Sequence, residues 1–596
     1  MTYRAPVKDF LFGLKELAGL EQLTQIPQFA DHGLDTAQAV LEECAKFNEN
    51  VVAPLNWIGD QQPSSWKDGV VTTTPGFKEA FQQLGEGGWQ GLQHPEEFGG
   101  QGLPKAIGAA CIEMINSANL SFALCPLLTD GAIEALLTAG SDAQKAIYLT
   151  PMVEGRWTGT MNLTEPQAGS DLAAVRSRAE PQPDGTYKIF GTKIFITYGE
   201  HDMAENIVHL VLARVAGAPE GVKGISLFVV PKFLVNDDGS LGARNDAHCV
   251  SIEHKLGIKA SPTAVLQFGD HGGAIGTLVG QENRGLEYMF IMMNAARFAV
   301  GVQGIAVAER AYQKAVQFAR DRVQSRPVDG STPGAAAIIH HADVRRMLMT
   351  MRAYTEGCRS LALVAGAAYD AAHHHPDADT RKVNQTFYEF MVPLVKGYST
   401  EMSQEVTSLG VQVHGGMGFI EETGAAQYYR DARILTIYEG TTAIQANDLV
   451  GRKTSRDGGH TAKALAGQIE QTEALLAARD SVAAQSFARN LTAARLAFLD
   501  AVAFIAGNSR SNPNAAYAGS VPYLMLAGNL MAGWQMGRAL LAAQDCINEG
   551  EDVAFMQAKI TTAQFYAEHL LVKVPGLRDA IVGGAESVCA MALDAF

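Results

Sequence analysis

The sequence predicts an α+β chain of several domains, with helices at the N-terminal end, a β-rich centre, and helices from there to the C-terminus. Three observations predict it. Apolar residues recur at helical spacing before Trp157 and after Gly285, while short β-branched and aromatic runs bounded by turn residues fill the interval. Beyond residues 452–460 an Ala-rich stretch returns to helical spacing. A chain of 596 residues is also too long for one core, so about three to four domains are expected.

The elements follow in order. Helical spacing covers 35–53, 77–84 and 105–127, and the Gly- and Pro-rich stretch 87–104 punctuates the last two. These belong to an N-terminal helical domain, 1–156. Within 157–281 the runs 187–190, 193–197, 207–213, 225–230 and 264–268 have β character. Their spacing suggests an antiparallel sandwich or barrel and not βαβ units. Helical spacing returns over 287–322, 341–368, 381–409 and 442–451, within a domain at 282–452. Residues 452–460 (RKTSRDGGH) read as a linker, and 461–596 as an appended helical domain with a loop at 508–522. The triplet His373, His374, His375 lies in a polar stretch without partner ligands and reads as a solvated turn.

Hydrophobic residues make up 47% and charged residues 18%, the balance of a well-packed chain and not a disordered one. A net charge of −16 without a compensating Lys/Arg block argues against nucleic-acid binding, while leaving room for a local basic site. No uninterrupted apolar run reaches the length of a bilayer span, so no transmembrane segment is expected. The first twenty residues carry too many charges for a signal peptide. Seven scattered cysteines without CxxC spacing read as buried thiols of a cytoplasmic protein, with neither a disulfide frame nor a metal site expected.

The stretch 437–445 (IYEGTTAIQ) is the most informative chemically. Glu439 is a lone carboxylate on a glycine hinge before a helix start, with its nearest charges at Arg433 and Asp448. Such a carboxylate suits the raised pKa of a general base. A first-turn glutamate favoured by the helix dipole reads the same way.

No G-x-G-x-x-G occurs, so a Rossmann-type site is unsupported. Instead, glycine, hydroxyl and basic residues gather in four places. Residues 161–171 (MNLTEPQAGSD) offer hydroxyls and backbone N–H groups to a planar ring or phosphate, or form an inter-domain turn. In FITYG (195–199), alternation puts Phe195 and Thr197 on one strand face, suited to a flat cofactor or to a sheet core. Arg297 and Arg322 are separated by about seven helical turns, so both fit one side of a long helix. They suit pyrophosphate or a carboxylate, or are plain surface arginines. QVHGGMGF (412–419) is a helix end running into a glycine turn; its free donors, like the helix start at Thr441 and Thr442, can meet an anion.

Six segments, PEEFGGQGLP (95–104), TEPQAGSD (164–171), FITYG (195–199), FARDRVQSR (318–326), QVHGGMGF (412–419) and YEGTT (438–442), together resemble the acyl-CoA dehydrogenase family. The collinear order spans about three quarters of the chain, and the overall length and helical tail are similar to the family's larger bacterial branch. The resemblance implies a helical N-terminal domain, a central β-domain and a C-terminal four-helix bundle, with the tail as an appended helical domain. FAD would sit between these domains and between subunits of a homodimer or dimer of dimers.

The resemblance also implies a reaction. Glu439 would remove the α-proton of an acyl-CoA thioester while the β-hydrogen leaves as hydride to flavin N5, giving a trans-2 double bond. Met161, Leu163, Thr164, Gly169 and Ser170 would line the flavin, Ser170 also touching CoA. Thr197 would bond the N5 side, with Phe195 stacked on the ring. Arg322 and Gln324 would hold the diphosphate and adenine side. Gln412, Gly415 and Gly416 would bind FAD from the neighbouring subunit, and Thr441 would complete the site. Asn294, Arg297, Tyr438 and Gly440 would border the acyl-CoA. Electrons would pass to an electron-transfer flavoprotein. An acyl-CoA oxidase is the alternative on the same fold, and a non-catalytic acyl-CoA-binding flavoprotein is the alternative from another class.

Three positions depart from the family pattern. Phe195 stands where many relatives have Trp, keeping a stacking face but losing an N–H. Ser325 replaces an aromatic residue. Asn294 stands where many have Asp, leaving Arg297 less neutralised. The length of the acyl chain is not legible.

Overall fold

The structure, a computed structural model, describes residues 3–596. Its N-terminal region contains helices Leu34–Phe47 (α1), Phe77–Glu86 (α2), Lys105–Ala118 (α3), Leu120–Ala139 (α4) and Asp142–Val153 (α5). The stretch expected as one helix over 105–127 is two. Asn119 leaves the helical backbone region and its side chain accepts the Phe122 N–H, ending α3 and capping α4. A reciprocal capping box between Ser141 and Gln144 starts α5.

Eight strands of one sheet follow: Trp157–Asn162 (β1), Arg178–Pro181 (β2), Tyr187–Thr197 (β3), Asn206–Val215 (β4), Ser226–Pro231 (β5), Ala247–Ile252 (β6), Thr263–Phe268 (β7) and Ala274–Val279 (β8). They pair in the order β6-β7-β3-β8-β5-β4-β1, and β2 joins β3 to β4, so β3, β8, β5, β4 and β2 close a small ring. Pairing is not strictly antiparallel, because β1 and β2 both run parallel to β4. Parallel partners need a long crossover. Residues 163–205 supply it between β1 and β4, and they also carry the first two cofactor candidates.

Gly285–Asp321 (α6), Ala342–His374 (α7) and Ala378–His414 (α8) are the long helices of the bundle, with α8 packed against both α6 and α7. The fourth side is divided into Ala425–Ala432 (α9) and Thr442–Asp448 (α10). The Glu439 turn occupies the break. His373 and His374 form the last turn of α7, with His373 exposed, His374 edge-on to Phe29 at 5.1 Å and His375 as the C-cap, so the expected turn begins only at the end of the triplet.

The appended domain contains His460–Ala477 (α11), Val482–Asn508 (α12), Ser520–Glu549 (α13), Val553–His569 (α14) and Val574–Gly583 (α15). Two expectations change here. Residues 452–460 are not a free linker: helical backbone continues through Ser455, and buried Thr454 pairs with Tyr523 Oη at 2.9 Å. The expected loop at 508–522 contains the helix Pro513–Ala518 and the first turn of α13, where Pro522 lacks only a hydrogen bond the helix start would not make. Helix α13 packs on α7, α8 and α10. Contact is so close that a Cβ on Gly528 would lie 2.3 Å from the Tyr398 ring.

Three helices, α4, α6 and α12, are long and apolar enough, by length and composition, to cross a bilayer, although no uninterrupted apolar run singles them out. The expectation considered uninterrupted apolar runs, whereas a mean over eighteen residues tolerates single polar ones. Their most apolar windows are 83%, 72% and 44% buried within the protein.

Buried charges tie the N-terminal segment to the rest. Arg359 of α7 pairs with Glu113 of α3, with Glu309 of α6 at 2.7 Å and with Asp9 at 2.6 Å. Lys559 of α14 pairs with the same Asp9 and with Glu356 at 2.8 Å. Burial pushes Glu113 up to about 7 despite Arg359. At Asp9, Lys559 and Arg359 overcome burial and hold the carboxyl well below the usual range.

Candidate active site

Two of the candidate segments meet on the β-domain. Past β1 the chain runs extended beside β3. The Ile194 N–H donates to Thr164 O at 2.9 Å, and Lys193 Nζ donates to Leu163 O at 3.0 Å and to Glu165 at 2.8 Å. Lys193 and Glu165 form a fully buried pair. Burial lowers Lys193 to about 8. Glu165 falls to about 2, because Lys193 and the donors of Arg176 and Ser177 outweigh its burial. Neither residue emerged as a candidate from the sequence. The signal was a lysine among the buried positions of β3, whose others are Ile189 and Ile196, where an unpaired charge is prohibitively costly.

A bulge then re-aims β3. Lys193 pairs with Leu266 and Ile196 with Ala264, so two residues of β3 face Val265 alone. Phe195 takes a φ of 59° and is 58% exposed, with half-buried Thr197 two residues further on. Met161 is buried at the end of β1, Leu163 and Thr164 are half-buried, and Gly169 and Ser170 are exposed. Nothing lies within 4 Å of the Cβ position of Gly169. An outward aromatic face, nearby hydroxyls and an open glycine turn make a cradle that fits a flavin.

The second group gathers at the far end of the bundle. Phe318 of α6 and His414 of α8 approach to 4.4 Å between ring centroids, bringing the two helix ends together. Here Arg322, Gln324, Gln412, Gly415 and Gly416 are all exposed, and both glycines have open Cβ positions. Arg322 Nη2 and Gln324 Oε1 lie 3.4 Å apart. Arg322 is the residue that leaves α6, whereas Arg297 is buried within it. At 1.5 Å per residue they are about 37 Å apart. The one long helix expected from their spacing is present, with Arg297 buried inside it and Arg322 exposed at its C-terminal end.

Glu439 is reached through a short helical turn, Arg433–Thr436, and precedes Thr441, whose Oγ1 accepts the Ile444 N–H at 3.3 Å and caps α10. It therefore lies outside the helix, two residues before the cap. The first-turn reading of this glutamate fails. Its φ is 53° and that of Gly440 is 86°; a non-glycine residue held left-handed costs about 1–2 kcal/mol. Several contacts hold the turn. Lys396 Nζ donates to Leu435 O at 2.8 Å and Gly440 O at 2.7 Å. Gln445 Nε2 reaches Glu439 O and Gly440 O, both at 3.4 Å. Tyr438 Oη donates to Gln303 Oε1 at 2.5 Å, and Gln303 Nε2 to Asn116 Oδ1 at 2.9 Å. Asn116 in turn lines a cavity of about 90 Å³ together with Phe47, Trp89, His94 and Phe298.

Burial raises the Glu439 carboxyl to about 7, with Lys396 and Arg297 opposing the rise. Arg297 is buried, and its Nε has no hydrogen-bond partner among the described residues. That Nε lies 3.8 Å from the Cβ position of Gly440. A guanidinium donor without a partner beside a carboxylate titrating near neutrality is a place for an incoming acceptor oxygen. Asn294 is exposed one turn earlier on α6. Lys396, Gln303 and Gln445, all missed in the sequence, are buried polar residues in apolar helical stretches, which is the signal that singles them out.

One cluster of metal-ligand type also escaped the sequence. Asp246, His248 and His271 bring ligand atoms within 4.8 Å of one another, with Asp246 already accepting the N–H groups of His271 and Gly273.

Four family models match the chain: the acyl-CoA dehydrogenase N-terminal domain at 35–156, middle domain at 160–271 and C-terminal domain at 283–453, and an acetyl-CoA dehydrogenase C-terminal-like region at 465–592. The chain is 56% identical to 3-methylmercaptopropionyl-CoA dehydrogenase of Ruegeria pomeroyi over 593 residues, covering 100% of both. It is 37% identical to the broad-specificity linear acyl-CoA dehydrogenase FadE5 of Mycobacterium tuberculosis, covering 97% of both. Among solved structures it is similar to Caenorhabditis elegans ACDH-11 in complex with C11-CoA, with a TM-score of 0.76, 19% identity, and 98% and 95% of the two chains covered. An acyl-CoA dehydrogenase complexed with FAD from Bacillus anthracis gives a TM-score of 0.73 and 22% identity, over 94% and 90%. At such identities the likeness is one of fold. The full-length relatives and the successive family matches agree with the site's chemistry: this chain belongs to the acyl-CoA dehydrogenase family, as an FAD-dependent oxidoreductase acting on acyl-CoA.

Proposed function

We propose that Glu439 is the base of this dehydrogenase and that 3-methylmercaptopropionyl-CoA is its preferred substrate. The observation that carries the first part is the Glu439 turn itself: a carboxyl raised to about 7, held outside any helix, beside a guanidinium donor without a partner. The full-length identity to the Ruegeria enzyme supports the second part.

Glu439 takes the α-proton onto a carboxylate oxygen, and the electron pair left on Cα forms the double bond to Cβ as the β-hydrogen departs with its own pair. FAD supplies the acceptor for that hydride. Arg297 offers its free Nε–H to an oxygen entering beside Glu439 and steadies the carboxylate before proton transfer. Tyr438 and Gly440 fix the turn on either side of the base, and Thr441 caps the helix behind it.

Met161, Leu163, Thr164, Gly169, Ser170, Phe195 and Thr197 hold the flavin ring end. Arg322, Gln324, Gln412, Gly415 and Gly416 hold the diphosphate and adenine end of a cofactor bound mainly by a second copy of the chain. Exposed Val323, Met417, Phe419 and Ile420 surround this second group, and apolar patches of this kind mark interfaces. A homodimer or dimer of dimers is the assembly this supports. Phe195→Ala should weaken FAD binding about tenfold, the equivalent of about 1.4 kcal/mol of lost stacking, measured by fluorescence titration of the apoenzyme.

The electron acceptor is an electron-transfer flavoprotein, and the compartment is the cytoplasm, where the seven free thiols stay reduced. The test is anaerobic flavin reduction across 3-methylmercaptopropionyl-, butanoyl-, octanoyl- and palmitoyl-CoA, followed by exposure to air. The thioether substrate should give the highest kcat/KM, and peroxide should not form within a turnover. A higher value for any straight-chain acyl-CoA rejects the substrate assignment, and rapid peroxide formation rejects the acceptor.

A further inference from the structure

We propose that Lys396 is the positioning residue for Glu439 and that the appended domain keeps it in place. The inference rests on Glu439 being the base.

Lys396 lies on α8 with no exposed surface. Its amine donates to the carbonyls of Leu435 and Gly440, at 2.8 and 2.7 Å. Those two residues bracket the turn that carries Glu439, so one side chain clasps both ends of it. Fixing that span fixes the left-handed backbone at Glu439 and thereby the direction of its carboxylate. A buried ammonium is a demanding way to brace a turn, since a neutral side chain avoids the desolvation of a charge.

What the charge adds is its effect on the base. The charged groups that interact with this amine are Glu439 on the turn, Arg297 on α6 and Glu401 one turn further along α8. Glu401 is engaged by the Thr442 hydroxyl at 2.5 Å. Asp448 and Arg452, past the Glu439 turn, act on Arg297. Lys396 therefore opposes the upward push of burial on Glu439 and keeps the base near neutrality.

The residues after Lys396 are pressed by the appended domain. A Cβ on Gly397 would lie 2.5 Å from Leu524 of α13 and 3.3 Å from Gln445 Cβ. The next residue, Tyr398, packs against Gly528 of α13, and its hydroxyl lies 3.1 Å from that of Tyr566 on α14. Helices α13 and α14 thus back the turn of α8 from which Lys396 reaches the base. This gives the C-terminal domain a part in catalysis without contact with substrate.

The test uses the full-length, FAD-loaded enzyme and the rate of anaerobic flavin reduction as a function of pH. Lys396→Met should lower the limiting rate at least about tenfold through misplacement of the base. It should also move the pH midpoint up by about one unit through loss of the nearby charge, with acyl-CoA affinity changed less than about threefold. Lys396→Gln keeps a donor without the charge, so it should regain part of the rate while keeping the raised midpoint; it takes over the test if the methionine variant loses FAD. Leu524→Ala should lower the rate with the midpoint unmoved. A FAD-loaded lysine variant matching the wild type in both rate and midpoint overturns the role of Lys396, and a wild-type rate in Leu524→Ala overturns that of the appended domain. Glu439→Gln is measured in parallel. If that variant reduces flavin at the wild-type rate, the assignment of the base fails, whereas an inert Glu439→Gln beside unaltered lysine variants rejects only the lysine proposal.

Discussion

Glu439→Gln is expected to bind FAD and acyl-CoA as the wild type does, and to reduce its flavin about 10³-fold more slowly. That magnitude lies within the range for removal of a positioned general base. The amide keeps the volume of the carboxyl, so the turn, its Lys396 clasp and Gly440 remain. Only the proton acceptor is lost. The readout is the anaerobic loss of oxidised-flavin absorbance after mixing with substrate, and a rate within threefold of the wild type would exclude Glu439 as the base.

The pH dependence follows from the same group. Burial raises the folded-state pKa of Glu439 from 4.5 to about 7, so the rate in the wild type should rise with pH through about 7 as the carboxylate forms. The stability contribution has the opposite sense. A group whose folded pKa is raised contributes stability that is complete below its unfolded value and is lost as pH rises through the folded one. The ionised form is therefore the less stable form at this position. A urea titration at pH 5 and pH 8 should show the wild type losing more stability than Glu439→Gln over that interval.

The largest effect on stability is expected from Arg359→Met. Arg359 is buried among Glu113, Glu309 and Asp9, and its removal leaves buried carboxylates without their cation. The cost of breaking a buried pair in this way is about 3–5 kcal/mol, read as a lower urea midpoint for the full chain. Adding Glu113→Gln should recover part of it, because the second substitution removes one uncompensated charge. Full additivity of the two substitutions would show that Arg359 and Glu113 are not energetically coupled. Lys559 of α14 shares Asp9 with Arg359, so the lesion should also loosen the appended domain, visible as faster proteolysis near residues 452–460.

Much of the fold was legible because its signals are local. Helical spacing over 287–322 became α6, and the β-rich runs became strands of one sheet. The failures were local signals overruled at short range. Asn119 broke one apolar stretch into two helices by capping the second. The polar composition of 452–460 concealed a packed turn, because Thr454 finds its partner on Tyr523. In the site, the glycine- and hydroxyl-rich segments are readable as motifs. Their grouping is not, since Lys193 and Lys396, which hold the backbone around two of these segments, reach them from other elements.

By itself, the sequence determined the order of elements and the family to which the chain belongs, and it singled out the carboxylate at position 439 as a candidate. All three depend on side-chain periodicity and on short motifs, which are properties of adjacent residues. The tertiary structure alone decided that Glu439 stands outside its helix with burial raising its carboxyl to about 7, that a bulge turns Phe195 outward, and that Lys193 and Lys396 hold the backbone at Leu163 and around Glu439. Those outcomes arise from burial and from partners on separate elements. Lys396 and Gly440, or Leu524 and Gly397, are brought together only by folding, and the low polarity that raises the pKa of a carboxyl exists only once they have met.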